Sequence, residues 1–398
     1  MKRFLLIAYC FLFLTGCWSN IELDETALVH GVGIDKTEDN MLNISFEIVK
    51  PGGNQNSRHG STQDDNNQMG GEHIILELKT NSLLDGARES IKYTKRKLDF
   101  GHTEAWIIGE ELAKENFIRA LDVVRRDQML RLNSHIFITK DDPANVLNTS
   151  TLYENLVATE LAASIEQTQF MSEYSPITLR GLYKLLEGPI RNGYIPIISI
   201  EEVHDNQITA IEGTAVIKKD RMIGELDRIE TAGLNILLDR VKGGSIRTFI
   251  EKDELVSLEV ISLKTKTTST LKEKSVEATI DIKVKGTLGD NMTFNKKVDR
   301  NFLQKVEKAI SERTKKVVQT TLQKLQQDLK TDITHIGIRT HKDYPKEWRY
   351  IQSNWNEIFA NAKVTINVET NVVHKGLINE NIHPNEKNQR NPYLFWKK

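Results

Sequence analysis

The sequence predicts an α+β protein of several domains, in which mixed β-sheets are each packed with helices and a long helix backs the C-terminal sheet. Strand-like and helix-like patterns alternate from residue 27 to residue 139, which indicates strands with helices packed on them. Residues 245–288 are rich in β-branched side chains, and residues 301–329 then show an apolar stripe of helical period. The chain has 398 residues, more than the roughly 250–300 residues at which a single core stops growing.

The first part of the chain is predicted to alternate between strands and helices. Strands are predicted at residues 27–35, 41–49, 73–78, 105–108 and 135–139, and helices at residues 82–97 and 110–126. In the second strand, apolar residues alternate with Asn43, Ser45 and Glu47, which predicts one buried and one solvated face. Ser82 and Asp85 form an N-cap pattern at the start of the first helix. Residues 52–71 contain almost no apolar side chain and are predicted to be a mobile segment.

The remaining elements continue this pattern. Helices are predicted at residues 152–167 and 176–187, with Ser175 as a cap and Pro176 in the first turn. The strand predicted at residues 194–203 contains Pro196, which indicates an edge position. Further strands are predicted at residues 208–218, 221–226, 255–268, 275–286 and 364–372, and helices at residues 231–241, 301–329 and 345–360.

These elements suggest five segments. They are a lipoprotein signal peptide (residues 1–16), an N-terminal α/β domain (17–150), a small middle domain (151–205), a C-terminal α+β domain (206–378) and a tail (379–398). The tail closes on the sequence Tyr-Leu-Phe-Trp-Lys-Lys, in which aromatic and cationic side chains are combined as at membrane interfaces, although a disordered end is the plainer interpretation.

The first residues of the chain predict export and lipidation. A positive start is followed by an apolar run over residues 4–14, which is too short for the roughly 20 residues that span a bilayer. The run ends in Leu-Thr-Gly-Cys, which resembles a bacterial lipobox, so Cys17 is the predicted site of lipidation and the first residue of the mature chain. Two or more acyl chains would make such an anchor stable. An ordinary signal peptide and an uncleaved anchor are the alternatives.

The net charge and the cysteine content argue against several kinds of partner and site. The formal net charge is −1, so no basic excess is available to neutralise phosphates, and nucleic acid is not an expected partner. The only cysteines are Cys10, within the predicted signal, and Cys17. The mature chain is therefore expected to have no internal disulfide and no cysteine-based zinc site.

No local motif indicates catalysis. The ten histidines do not follow a metal-ligand spacing, and no phosphate-binding loop or nucleophile elbow occurs. Gly31 and Gly33 lack the third glycine of a dinucleotide fingerprint, so a turn or bulge is predicted there. The pair Ser269 and Lys272 matches Ser-x-x-Lys without its companion motifs. We therefore predict no enzymatic activity and no cofactor or metal, although catalytic groups can converge from distant parts of a fold.

One aromatic pair suits binding. Trp348 and Trp355 are seven residues apart and share one helical face. Two interpretations are open: packing in the core, or an exposed contact for a partner protein.

The gathered residues resemble the Ger(x)C family, the lipoprotein C subunits of spore germination receptors. The resemblance covers nearly the whole mature chain, with its motifs in the family's order: Gly16-Cys17-Trp18, Ile21-Glu22-Leu23, Gly31-Val32-Gly33-Ile34-Asp35, Leu98, Gly101-His102, residues 107–113, Leu121, Arg125-Arg126-Asp127, Asp332-Ile333, Gly337, Pro345, Trp348, Trp355-Asn356, Phe359, residues 364–368 and Gly376. The chain departs from the family at Ser19, where an acidic residue is usual, and at Thr334-His335, where Phe-Gly is usual.

The resemblance implies a three-domain α+β lipoprotein without enzymatic activity. It would lie on the outer face of the spore inner membrane beside two integral-membrane subunits, A and B, in a receptor that answers nutrients and triggers germination. The residues alone indicate only a tethered multidomain binding protein. A membrane-tethered solute-binding lipoprotein and a tethered cell-wall hydrolase are the alternative functions.

Overall fold

The described residues form two β-sheets that share a continuous apolar core. The structure, a computed structural model, describes residues 25–50, 73–126, 130–165, 172–251, 254–272, 275–291 and 298–374. The predicted signal peptide with Cys17, the predicted mobile segment at residues 52–71 and the predicted C-terminal tail lie outside these ranges.

The larger sheet has a parallel centre and antiparallel flanks. Its strands are β1 (Thr26–Lys36), β2 (Leu42–Val49), β3 (His73–Thr80), β4 (Lys97–Asp99), β5 (Ala105–Gly109), β6 (His135–Thr139), β7 (Asn192–Val203), β8 (Asn206–Lys218) and β9 (Arg221–Leu226). The order is β3-β2-β1-β5-β6-β7-β8-β9, and the short β4 pairs with the beginning of β1. Strands β1, β5, β6 and β7 are parallel neighbours, whereas β2, β3, β8 and β9 join through antiparallel pairs.

Short helices cover this sheet on both faces. They are α1 (Leu83–Glu89), α2 (Ile91–Thr94), α3 (Glu110–Lys114), α4 (Phe117–Ala120), α5 (Asp122–Arg126), α6 (Pro143–Leu147), α7 (Val157–Ser164), α8 (Leu179–Leu186) and α9 (Arg228–Leu237). Because α6 and α7 pack on one face of β1 and β5, side chains on both faces of the central strands are buried. The prediction of a solvated face on β2 was therefore wrong, since Ser45 and Glu47 are 3% and 0% exposed.

The smaller sheet is backed by the longest helix of the described residues. Its strands are β10 (Ser245–Phe249), β11 (Leu255–Lys272), β12 (Ser275–Asn291) and β13 (Lys363–His374), paired in that order. The helices of this part are α10 (Arg300–Gln323) with a π-helical end (Lys324–Asp328), α11 (Ile336–Asp343), α12 (Pro345–Ile351), a 3₁₀ turn (Gln352–Asn354) and α13 (Trp355–Ala360). Helix α10 packs on β13 and β10, which confirms the predicted long helix behind the C-terminal sheet.

Several predicted elements differ from the structure. The helix predicted at residues 82–97 is α1 and α2 followed by strand β4, and the helix predicted at residues 345–360 is α12 and α13 with a 3₁₀ turn between them. The helix predicted at residues 110–126 is three helices, because Glu115 leaves the helical region and Asn116 caps the next helix by accepting from the Arg119 N–H. Helix α8 starts at Leu179 with Thr178 as its cap, so Ser175 and Pro176 precede it. Strand β7 is internal, because β6 pairs with its Ile197 and Ile198 while β8 pairs along its full length.

The predicted domain boundaries do not coincide with the boundary between the two sheets. The predicted boundary after residue 205 falls in the turn of the β7–β8 hairpin, where His204 and Asp205 have positive φ angles. Strands from all three predicted domains therefore share the larger sheet. Helix α9 then packs on α10, and buried residues of both sheets belong to one continuous apolar cluster. The division into domains stays a prediction.

Candidate interaction site

A buried hydrogen-bond network joins the larger sheet to the C-terminal helices. The amide of Asn192, at the start of β7, donates to the carbonyl oxygen of Asp332 at 3.0 Å and to Oδ1 of Asn356 at 3.0 Å. Asn192 is 4% exposed. One side chain of the first sheet therefore fixes the position of two separate segments of the C-terminal region.

The carboxylate of Asp332 organises the segment between α10 and α11. One of its oxygens accepts from the Thr334 N–H at 2.8 Å and hydroxyl at 2.7 Å. The other accepts from the Gly337 N–H at 2.8 Å and from Nε1 of Trp355 at 2.9 Å. Burial raises the pKa of Asp332, and the four hydrogen bonds oppose this rise. Four donors on a fully buried carboxylate indicate a structural anchor for the entry into α11.

The two tryptophans lie inside the protein. Trp348 and Trp355 are each 2% exposed, and their ring centroids are 4.8 Å apart. His341 lies edge-on to Trp348 at 5.4 Å. The structure therefore places this pair in the core, the first of the two interpretations that the sequence left open, and the rings are not on the surface for a partner contact.

A cleft lies beside this network, and we call it the junction cleft. It has a volume of about 860 Å³, and α8, the start of β7, the end of α9 and the segment that leads into α11 form its walls. Its apolar lining includes Leu132, Ile177, Leu185, Ile190, Leu238 and Ile333. The volume is in the range of small-ligand sites, which is roughly 300–1,000 Å³.

Cationic side chains line the junction cleft. Arg240 lies over the ring of Tyr194, with its guanidinium carbon 5.1 Å from the ring centroid, and it donates to the Pro176 carbonyl at 3.4 Å. Arg125 is paired with Glu187 at 2.6 Å. The exposed side chains of Arg180 and Lys184 form no ion pair with another described residue. The cleft therefore combines apolar walls with free positive charge, and this combination suits a carboxylate-bearing ligand or an acidic side chain of a partner.

His335 also lines this cleft, at a position where the chain departs from the pattern of the family it resembles. Its ring lies at the surface, and partial burial, followed by the charge of Arg240, lowers its pKa. Thr334, the other departure, supplies two of the four donors to Asp332. The substituted residues thus take defined places in the cleft wall and in the network.

A second buried carboxylate, Glu47, holds helix α7 against the larger sheet. Its oxygens accept from the Val157 N–H at 2.8 Å and from the Ala158 N–H at 3.1 Å, at the first turn of α7. Burial raises the pKa of Glu47 to about 7, and the two hydrogen bonds act in the opposite direction. This carboxylate has a helix-capping position and no access to a ligand.

The glycines of the N-terminal motif allow close packing. A Cβ atom on Gly31 would lie 2.6 Å from Cδ2 of Leu147, and one on Gly33 would overlap the Ser45 hydroxyl and lie 2.8 Å from Cβ of Pro143. The ladder with β2 shifts register between Val29 and Gly31, which agrees with the predicted turn or bulge. This motif therefore positions α6 and α7 rather than a cofactor.

Lys272 and two neighbouring aspartates, Asp141 and Asp142, have structural partners. Lys272 of the Ser-x-x-Lys match is paired with Glu277 at 2.8 Å. Asp142 caps α6 by accepting from the Ala144 N–H, and Asp141 accepts from the Ile200 N–H. Within the described ranges, no group of three or more His, Cys, Asp or Glu side chains could hold a metal ion. Cys17 lies outside these ranges, and in them no helix is both long and apolar enough to cross a bilayer.

Sequence reasoning singled out Arg125 and residues 332–335, but it missed the other residues that line the junction cleft. Asn192 and Arg240 are separated from Asp332 by 140 and 92 positions, and no local pattern links them. The spacing of Arg180 and Lys184 on the exposed side of a predicted helix was the one local signal. It could have identified a cationic helix face, although not the opposite wall.

Comparison with known proteins gives consistent matches over both parts of the chain. Residues 19–200 match the family described as "Spore germination protein N-terminal domain", and residues 212–376 match "Spore germination B3/ GerAC like, C-terminal". Two similar proteins come from Bacillus subtilis (strain 168). Spore germination protein YndF is 25% identical, and the match covers 92% of this chain and 94% of YndF. Spore germination protein KC is 23% identical, and the match covers 93% of this chain and 94% of that protein. The crystal structure of the GerBC protein has the same fold, with a TM-score of 0.54 and 20% identity over 86% of this chain and 97% of that chain.

Proposed function

The chain belongs to the spore germination B3/GerAC-like family of germinant receptor C subunits, and from this premise we propose that it is a lipid-anchored subunit that acts by binding integral-membrane subunits A and B. A role in spore germination follows from the family. The observation that carries the proposal is the match of two consecutive family models, which together extend from residue 19 to residue 376. The site of action would be the outer face of the spore inner membrane.

The lipid anchor is assigned to Cys17. It follows Leu-Thr-Gly at the end of an apolar run, as the thiol of a lipobox does. The described fold contains no cysteine, so it needs no disulfide for its stability. A lipid on Cys17 would therefore be compatible with a stable folded body.

The contact with the membrane subunits is assigned to the junction cleft. Its Arg180 and Lys184, which form no ion pair with a described residue, stand beside apolar walls, and acidic side chains of a partner would gain ion pairs there. We expect the double substitution R180E/K184E to reduce co-purification of this chain with the A and B subunits. The matched control is K315E/K316E, which makes the same charge change on the exposed side of α10. Equal co-purification of both variants would exclude the cleft as the contact.

The anchor is tested by Cys17→Ala. The altered chain should leave the membrane fraction, and spores that carry it should lose the nutrient response, because the subunit is no longer held beside its partners. Fractionation of spore membranes and release of dipicolinic acid measure the two effects. A full response with a chain that is not acylated would contradict the proposal.

A solute-binding lipoprotein is the second candidate, and the volume of the junction cleft favours it. At about 860 Å³ the cleft would accommodate a nutrient molecule with a carboxylate near Arg240. Titration calorimetry of the detergent-solubilised chain against a panel of amino acids, sugars and nucleosides separates the two candidates. The subunit proposal predicts no saturable heat, and a saturable heat that is lost in R240A would favour solute binding.

A further inference from the structure

Helices α1 and α2 carry apolar side chains that the fold leaves in solvent. Leu84, Ile91 and Tyr93 are 43%, 44% and 61% exposed. Leu84 and Ile91 are seven residues apart, whereas the buried residues of α1 are Leu83 and Gly86. The helix therefore has a second apolar face, which makes no contribution to the core.

The segment that carries these apolar side chains is basic. Residues 88–97 contain five Lys or Arg residues and one Glu, which gives a net charge of +4 in a chain whose formal charge is −1. Arg88, Lys95 and Lys97 are exposed and form no ion pair with a described residue, and Lys92 is paired with Glu89 at 3.1 Å. Leu84, Arg88, Ile91 and Lys95 are spaced by four, three and four residues, so they lie along one side of the helical segment.

This surface lies at the point where the described chain begins. Strand β4 follows α2 and pairs in parallel with the start of β1, where Lys97 is opposite Thr26. Arg96 donates to the carbonyl oxygen of Thr26 at 3.4 Å. Cys17 is nine residues before Thr26, a distance that a fully extended chain could span over at most about 30 Å.

We propose that Leu84, Arg88, Ile91, Lys92, Tyr93, Lys95 and Lys97 form a membrane-docking surface that binds anionic lipid headgroups. The proposal rests on the lipid anchor at Cys17, because that anchor would place the start of β1 near the bilayer. Flexible lysine and arginine side chains would contact the headgroups, while Leu84, Ile91 and Tyr93 would enter the interfacial region. The surface would set the orientation of the whole protein on the membrane and direct the opposite end of the parallel strands away from it.

The arrangement favours a lipid surface over a protein partner. Arg88, Lys95 and Lys97 are exposed and pair with no described carboxylate, and the Lys95 ammonium donates to the Lys92 carbonyl oxygen at 2.6 Å. Cations without a carboxylate partner suit a diffuse layer of phosphates better than a fixed set of carboxylates. Leu84, Ile91 and Tyr93 are spread among these cations. They line neither the junction cleft nor the other large cavities of the described residues. A lipid surface needs no such pocket.

The test measures vesicle binding without the acyl chain, so that it does not depend on lipidation. The mature chain from residue 17 with Cys17→Ala is sedimented with vesicles of phosphatidylcholine alone or mixed with phosphatidylglycerol. We expect binding only to the mixed vesicles, with a loss at high salt because the Debye length shortens. K95E/K97E should weaken partitioning by about tenfold or more.

The control variant is K283E/K285E, which reverses two exposed lysines on β12 in the smaller sheet. It should bind the mixed vesicles as the parent chain does. Equal binding to both kinds of vesicle, no binding to either, or equal loss in the two variants would overturn the proposal. Unchanged vesicle binding by K95E/K97E, together with a loss of germination, would overturn it in favour of an acidic protein partner. Mass spectrometry of the chain from spores tests acylation of Cys17 separately.

Discussion

At the residue scale, two buried carboxylates hold separate parts of the fold in place. Glu47 caps α7 from β2, and Asp332 holds the entry to α11 and the indole of Trp355. A carboxylate has two acceptor oxygens with about four acceptor sites, whereas an amide or a hydroxyl has one acceptor oxygen with two. Both positions therefore depend on the chemistry of the side chain as well as on its volume.

Glu47 predicts a specific dependence of stability on pH. Burial raises its pKa to about 7 in the folded protein, from an ordinary value of 4.5. The folded state thus binds the proton more tightly than the unfolded state, so this group lowers the free energy of unfolding as the pH rises from about 4.5 to about 7. We expect the parent chain to lose about 3 kcal/mol relative to E47Q across this window, measured by urea unfolding at several pH values.

The control for this experiment is E77Q, on the neighbouring strand β3, where the glutamate is exposed. Its pH profile should run parallel to that of the parent chain. A difference between E47Q and the parent that does not change with pH would show that Glu47 stays ionised in the folded protein.

Asp332→Asn is expected to destabilise the protein by about 3 kcal/mol or more. The asparagine amide can accept with one oxygen only, and its NH₂ group would face donors that the carboxylate now satisfies. Urea unfolding near neutral pH measures the change. D343N removes a partly exposed charge that pairs with Arg339, and it should cost less than about 1 kcal/mol; similar losses in both variants would contradict the anchor role.

At the scale of elements, strand β1 is shaped by the helices that cover it. Gly33 lies against Ser45 and Pro143, and Gly31 lies against Leu147, so α6 and α7 approach the strand more closely than a side chain would allow. The motif that could have suggested a nucleotide site is therefore explained by packing.

Gly33→Ala should destabilise the protein by about 2 kcal/mol, because the new methyl group must displace β2 or α6. Gly101→Ala is the matched control, since Gly101 lies in an exposed turn and the nearest atom to its new Cβ would be a carboxylate oxygen of Asp99 at 3.1 Å. Thermal unfolding followed by circular dichroism compares the two. A melting temperature of G33A equal to that of G101A would show that β1 has more space than the structure indicates.

The positions of the strands and helices were largely predictable from the sequence, but the contacts between these elements were not. Alternation and helical period locate β1, β2, the β8–β9 hairpin and α10, because these signals are local. Burial of Glu47 and Ser45 was not predictable, because it depends on α6 and α7, which lie about 100 residues further along the chain. The exposure of Leu84 and Ile91 was not predictable either, since periodicity identifies apolar positions and cannot show which of them find a partner.

The candidate site was less predictable than the fold. The sequence identified Trp348, Trp355 and Asp332 as motif residues of the family that the chain resembles, and the structure joins them in one buried network. Asn192 reaches this network, and Arg240 reaches the cleft beside it, only through the packing of the two sheets. A sequence argument could not have joined them, because the residues are far apart in the chain.

At the scale of the whole molecule, the two sheets form one body, and the two proposed binding surfaces lie at different places on it. One apolar cluster includes residues of both sheets, and the α9–α10 contact and the Asn192 network lock them together. Under our proposals, the basic face of α1 and α2 lies on the membrane, and the junction cleft meets the A and B subunits. A rigid body of this kind would transmit a change at one surface as a movement at the other.

The most direct test of the account is dipicolinic acid release from spores with and without this chain. The strain should lack its other germinant receptors, because these could mask the effect of the deletion. A panel of single nutrients identifies the nutrient that triggers germination through this receptor. The account predicts that deletion of this chain abolishes release for at least one nutrient, and that the unaltered chain restores it while Cys17→Ala does not. Unchanged release for every nutrient that triggers the parent spores would contradict the receptor-subunit function.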